Sequence, residues 1–147
     1  MGRSLQLAVV FVAALTGCDL IEVAETTYPD MATAASRGGV SSGWIPEWLP
    51  ASSTDLRHNI HDVDTNESAL AFNISSTARW RPPSQCQAVS ASAVTPSRFG
   101  PSWWPSQADL ESSYTFYSCP TDVSPTSMFV GIHKAGSRGL HWRVSAR

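Results

Sequence analysis

The chain has 147 residues, 42% of them hydrophobic and 15% charged, and twelve acids against ten bases leave a formal charge of -2. That length suits one ordinary globular domain and argues against a two-domain enzyme, while the near balance of charge removes the electrostatic footprint of a nucleic-acid binder. Three cysteines is an odd number, so in an exported chain one of them needs an explanation of its own.

Residues 1–17 read as a signal peptide. Arg3 supplies the positive start, and Leu5 to Leu15 form an apolar stretch broken only by Gln6. This stretch is shorter than the roughly 20 residues that span a bilayer. It ends in Leu15-Thr16-Gly17-Cys18, which resembles the lipobox of bacterial lipoproteins at all four positions. The resemblance implies cleavage after Gly17 and a diacylglyceryl group on the sulfur of Cys18, with palmitate-type chains holding the protein to the lipid bilayer. It also implies a place in the cell envelope on the periplasmic side, and Asp19 behind the lipidated cysteine favours the inner membrane.

Residues 18–43 are small, polar and glycine-rich towards Gly38-Gly39-Val40-Ser41-Ser42-Gly43, so the composition predicts a lipidated N-terminus followed by a flexible tether. Five of the six tryptophans fall between Trp44 and Trp104, and the sixth is Trp142. The compact domain is therefore expected over 44–147. Pro46 and Pro50 keep the Trp44–Pro50 run out of any helix interior. The run is expected to lie extended over a core, as a packing strap or as an aromatic shelf for a ligand.

A hairpin is expected next. Leu56–Val63 and Ser68–Ser75 flank the turn formers Asp64-Thr65-Asn66-Glu67, and Leu70, Phe72 and Ile74 alternate with Ala69, Ala71 and Asn73. A short helix over the first of these segments, capped by Ser52-Ser53-Thr54, is the alternative. Gln85–Ala93 reads as a short helix, and residues 95–108, with three prolines and Trp103-Trp104, as a packed irregular loop. Ser113–Cys119 and Ser127–His133 read as strands, and the turn 135–139 leads into a last strand carrying Leu140, Trp142 and Val144 on one face. The fold class is α+β: a small, mainly antiparallel sheet with one or two short helices.

With Cys18 assigned to lipid, Cys86 and Cys119 remain as an even pair in an oxidising compartment, and a disulfide between them is expected. A free or catalytic thiol is the alternative. Other chemistry is sparse. Gly39-Val40-Ser41-Ser42-Gly43 spells G-x-S-x-G without the strand and helix that a nucleophile elbow requires. Asp62-Val63-Asp64-Thr65-Asn66 opens like a calcium loop, but Glu67 stands where glycine is needed and Asn73 where the bidentate glutamate is needed. Asn66-Glu67-Ser68 and Asn73-Ile74-Ser75 match glycosylation sequons that a bacterial chain would leave unused. His58, His61, Asp62 and Asp64 are the densest polar cluster, and His133 and His141 could meet across a hairpin, yet neither set has a ligand spacing that earns a metal or cofactor assignment. Lys134, Arg138, Arg143 and Arg147, with no acid after Asp122, would give the last strands a basic face for anionic lipid or an acidic partner.

The segments Trp44–Pro50, Ser52–Leu56, Asp62–Asn66 and Leu70-x-Phe72 resemble a family of small exported bacterial proteins that brings no activity with it. Tyr117-Ser118-Cys119 is similar to the Y-x-C strand of small periplasmic lysozyme inhibitors, although their S-G-x-x-Y loop is absent. The leading expectation is a membrane-anchored, non-enzymatic binding module without cofactor, metal or catalytic set, whose partner is an envelope protein or the cell wall and not nucleic acid. Its candidate binding residues are Trp44, Trp48, Trp103, Trp104, Arg138 and Arg143. The competing readings are an inhibitor of a cell-wall-degrading enzyme and a small hydrolase or metalloenzyme centred on His58, His61 and Asp62.

Overall fold

The computed structural model describes residues 24–62, 65–75, 79–98, 100–124 and 126–146, and of residues 59–62 only the backbone. The expected signal peptide, Cys18 and Asp19 lie outside the described residues, as do Val63, Asp64 and Arg147.

Seven antiparallel strands form one sheet in the order β1-β2-β3-β7-β6-β5-β4. The strands are β1 (Ala24–Asp30), β2 (Thr54–Asp62), β3 (Glu67–Asn73), β4 (Gln87–Val89), β5 (Tyr114–Cys119), β6 (Thr126–His133) and β7 (Arg138–Ser145). Two helices accompany them, α1 (Met31–Ser36) and α2 (Gln107–Ser113), with a 3₁₀ turn at Ala91–Ala93. The expected mainly antiparallel sheet with short helices is present, and its topology is two meanders, β1-β2-β3 and β4-β5-β6-β7, joined where β3 pairs with β7.

The expected hairpin is β2 and β3. Asn66 closes its turn at a φ of 58°, a left-handed conformation that asparagine tolerates better than most residues. Near the start of β2 the register slips by one residue between Thr54 and Arg57, and Asp55 takes the extra position at a φ of 48°. This is a β-bulge, which adds local twist.

Both faces of the sheet are covered. On the first, Tyr28, Leu56, Leu70, Phe72 and Ile74 pack under α1 and the strap through Ile45 and Leu49, and continue into Val130, Ile132 and Cys119. On the second, Trp142 is ringed by Trp104, Phe116 and Phe129, at centroid distances of 5.7, 6.2 and 5.5 Å, and donates its indole N–H to the Thr95 carbonyl at 3.0 Å. Ala69 and Ala71, opposite Trp142 and Leu140, leave room for this cluster. Leu110 of α2 covers it.

The expected tether over 18–43 is corrected for its described part. Residues 24–30 are the edge strand β1, paired with β2 from Ala24↔Ile60 to Asp30↔Thr54. The carboxylate of Asp30 caps α1 by accepting the Thr33 N–H at 2.7 Å, and this bond holds the Asp30 carboxyl below its ordinary range. The glycines that suggest a linker are the stop of that helix. Gly38 has a φ of 82°, and the Gly39 and Gly38 N–H groups bond back to the carbonyls of Ala34 and Ala35 in a Schellman motif. A Cβ on Gly39 would stand 3.0 Å from Ile45 and 3.1 Å from the Tyr28 hydroxyl, so close packing also requires glycine there.

Three further expectations change. Trp44–Pro50 is not fully extended but folds through a turn in which the Leu49 N–H reaches the Pro46 carbonyl, which buries Ile45 and Leu49 and leaves Trp44 and Trp48 half-buried. Gln85–Ala93 is not a helix: Gln87–Val89 pairs with Phe116–Ser118 as β4, and only Ala91–Ala93 turns. The tail of the 95–108 loop continues into α2, capped by Ser106, which accepts the Asp109 N–H at 3.2 Å.

The disulfide joins Cys86 to Cys119, 33 residues apart. Because Gln87 pairs with Ser118, the two cysteines occupy the next position across the same ladder, and the bond pins the short edge strand to the sheet.

Candidate functional site

Two clefts lie at opposite ends of β7, and between them they hold five of the six candidate binding residues.

The first cleft sits at the Arg143 end, with a volume of about 650 Å³. Trp44 and Trp48 of the strap stand on one side, Pro120 to Val123 on the other, with Met128 and Arg143 between. Arg143 is already engaged. Its guanidinium donates to the Asn66 side chain at 3.1 Å and to the Gly43 carbonyl at 2.5 Å, and it lies 5.7 Å from the centre of the Trp44 ring. Burial holds its pKa below the usual arginine range. Arg143 therefore fastens the strap to the β2–β3 turn. Trp48 stacks on Trp80 at 6.0 Å, with an interplanar angle of 9°, and sets an edge against His141 at 5.8 Å.

The second cleft, about 340 Å³, lies at the β6–β7 turn and is lined by Trp103, Asp109, Tyr114, His133 and Arg138, with Pro105 and two serines at its rim. Each residue is placed by a different element. Asp109 is in the first turn of α2, where its carboxylate accepts from the Ser106 hydroxyl at 2.7 Å. Tyr114 opens β5 directly opposite His133, the end of β6, and their rings meet edge to face at 5.1 Å. The His133 Nδ1 accepts the Ala135 N–H at 3.1 Å, so when the ring is neutral its proton sits on Nε2. Arg138 donates one bond to the Trp103 carbonyl at 3.2 Å. The Trp103 indole N–H reaches the Glu25 carboxylate at 3.0 Å and ties this loop to β1. Burial raises the Tyr114 pKa, against an opposing pull from Arg138, with a smaller raising push from Asp109. The phenol is therefore a neutral donor at ordinary pH.

This second set has recognition chemistry: two aromatic surfaces, a cation, a carboxylate and a phenolic donor around one open cleft. Sequence reasoning selected Trp103 and Arg138, missed Asp109 and Tyr114, and weighed His133 only against His141; these last three cleft residues, Asp109, Tyr114 and His133, come from three separate segments. The one local signal was Ser106-Gln107-Ala108-Asp109, a capping pattern that announces α2.

The other candidates separate. Trp104 lies against Trp103 and Trp142 and belongs to the core cluster. His141 is fully buried, and neither ring nitrogen has a hydrogen-bond partner among the described residues. Burial, reinforced by the nearby Arg143 and His58, holds its pKa well below the ordinary histidine value. His133 and His141 do not meet, because Val130 opposite His141 and Gly131 opposite Leu140 put positions 133 and 141 on different faces. Of the His58, His61, Asp62 and Asp64 cluster, only the His58 side chain is described; it is buried, with its ring 6.1 Å from that of Trp44. Among the described residues no three His, Cys, Asp or Glu side chains are placed to share a metal ion. The basic face is divided as well, since Lys134 and Arg138 lie at one end of β7 and Arg143 at the other.

The fold and the two clefts define a single-sheet α+β domain with aromatic-lined surface sites. Residues 22–73 match a family model, the YbbD head domain. The match covers about a third of the chain and ends at the last residue of β3, so it takes in the whole first meander. The segments from Trp44 to Phe72 that resemble small exported bacterial proteins lie inside it. Neither the curated proteins nor the solved structures include a significant match to this chain.

Proposed function

We propose that the protein is a lipid-anchored, non-enzymatic binding module of a bacterial cell envelope, and that the cleft between Trp103, Tyr114, His133 and Arg138 is its recognition site. The observation that carries this reading is the convergence of those side chains with Asp109 at one end of the sheet, each fixed by a separate element. Aromatic planes and Arg138 suit a partner segment with an apolar or ring face and an anionic group, while Asp109 and the Tyr114 hydroxyl suit its donors and acceptors. Peptide and saccharide portions of envelope macromolecules have that chemistry. The Leu15-Thr16-Gly17-Cys18 lipobox supports the anchor, and the match of residues 22–73 to a named head domain supports a dedicated domain family.

The test places a photo-crosslinking amino acid at Ser137, on the rim of this cleft, in the full-length chain in living cells. A discrete adduct that disappears when Arg138→Ala is added is the expected result. An adduct pattern indifferent to Arg138→Ala and Trp103→Ala would overturn the assignment of the cleft.

A further inference from the structure

Because β1 starts at Ala24, a lipid on Cys18 would hold the folded body close to the bilayer. Only six backbone steps separate Cys18 from that strand, and at about 3.3–3.6 Å per residue they reach at most about 20 Å. A folded body of this length is about 35 Å across, so an anchor at Cys18 leaves it no room to turn freely away from the bilayer. The end of the sheet that carries Ala24 must be the nearest to lipid.

That end can be traced through the registers. Ala24 pairs with Ile60, Ile60 with Ser68, Ser68 with Arg143, Arg143 with Met128, and Met128 with Cys119. The row leads directly into the loop after β5, where Pro120 and Val123 are exposed. Val123, 47% accessible, is the one exposed large hydrophobic side chain among the described residues. Beside it open the half-buried rings of Trp44 and Trp48, in the first cleft. Tryptophan with apolar neighbours is the side-chain set that sits at the headgroup level of membranes. The cation that could have made this an electrostatic surface, Arg143, is spent on Gly43, Asn66 and Trp44, and the loop itself contributes only Asp122.

We propose that the edge formed by Pro120, Val123, Trp44 and Trp48 rests on the lipid surface through apolar and aromatic contact, which points the β6–β7 turn with His133 and Arg138 away from the membrane, while Trp103 reaches back from that turn to Glu25 of β1. The proposal rests on lipidation at Cys18. It predicts contact with zwitterionic headgroups that salt leaves intact, unlike the salt-sensitive hold of a polybasic patch.

The experiment uses the full-length chain, processed in cells and reconstituted in phosphatidylcholine vesicles, with an environment-sensitive fluorophore on Val123→Cys or, separately, on Lys134→Cys at the far turn. Flotation with the vesicles reports the anchor. In floating protein the label at position 123 should be blue-shifted and lose most of its emission to a lipid-borne quencher, at low and high salt alike, while the label at 134 should be untouched. Floating protein with an unquenched label at 123, or with quenching at 134 instead, overturns the orientation and leaves the anchor standing. A chain that never floats refutes the anchor and the orientation together.

Discussion

Gly139 offers the sharpest test of the packing. It lies in β7 between Phe72 of β3 and Ile132 of β6, and the Phe72 ring lies directly over it. A Cβ at this position would overlap three carbons of that ring, Cζ, Cε2 and Cε1. The ring has nowhere to retreat: it is 1% exposed and set edge-on against Trp80 at 5.7 Å. One methyl group forced into such a core costs about 1–3 kcal/mol, and displacement of a whole ring belongs at the upper end, about 3 kcal/mol. For a domain of this size that lowers Tm by about 10 °C. Urea unfolding of Gly139→Ala followed by tryptophan emission should show an earlier midpoint with an unchanged slope. Phe72→Leu removes the clash, so the double variant should cost clearly less than the sum of its parts. A Gly139→Ala protein within about 0.5 kcal/mol of the parent, or strictly additive costs, would refute the placement of Phe72 over the glycine.

Three other outcomes follow from buried groups. Glu67, 3% exposed, pairs with Arg98 and accepts the Ser145 N–H at 3.0 Å, so Glu67→Gln should cost about 2–4 kcal/mol in equilibrium unfolding, and Arg98→Met should not add its full cost on top. Burial depresses the pKa of His141 in the fold, so the unfolded chain takes up a proton near the ordinary histidine value of about 6.5 while the folded chain does not. Stability from this site is complete above that pH and falls by up to about 1.4 kcal/mol per unit below it; unfolding from pH 7 to 5 should show the loss, and His141→Leu should flatten it. Reduction of Cys86–Cys119, which closes a loop across 33 residues, should cost about 3–4 kcal/mol, and the untreated folded chain should give no thiol titration from this pair.

The hairpin was legible because Leu70, Phe72 and Ile74 serve one buried face and obey a period of two. β1 was not, because as an edge strand it buries Tyr28 and leaves most of its length exposed, so Ala-Glu-Thr-Thr has no alternation to display. The capping signals of α1, Asp30 before it and Gly38-Gly39 after it, were present in the sequence, but the same glycines read equally well as linker. β4 is only three residues long and is held by a disulfide and one neighbour, which no periodicity can report. Of the cleft at the β6–β7 turn, Trp103 stood out as half of the Trp103-Trp104 pair and Arg138 as one of four cations that follow the last acid, Asp122. The grouping of Asp109, Tyr114 and His133 with them was invisible, because their proximity depends on the order in which β5, β6 and β7 pair.

The joint between β3 and β7 bears on how the chain reaches its folded state. Every other strand pairing links neighbours in sequence, whereas Ser68↔Arg143 closes a span of 75 residues. As synthesis proceeds from the N-terminus, the first meander is complete at residue 73 with the outer backbone donors and acceptors of β3 unpaired, and that row must wait for the last strand of the chain. The slow step of folding should accordingly be the docking of two preformed half-sheets rather than the formation of either one. A fragment ending at residue 73 would carry an adhesive edge, and an excess of the second meander, added in trans, would be its natural antidote.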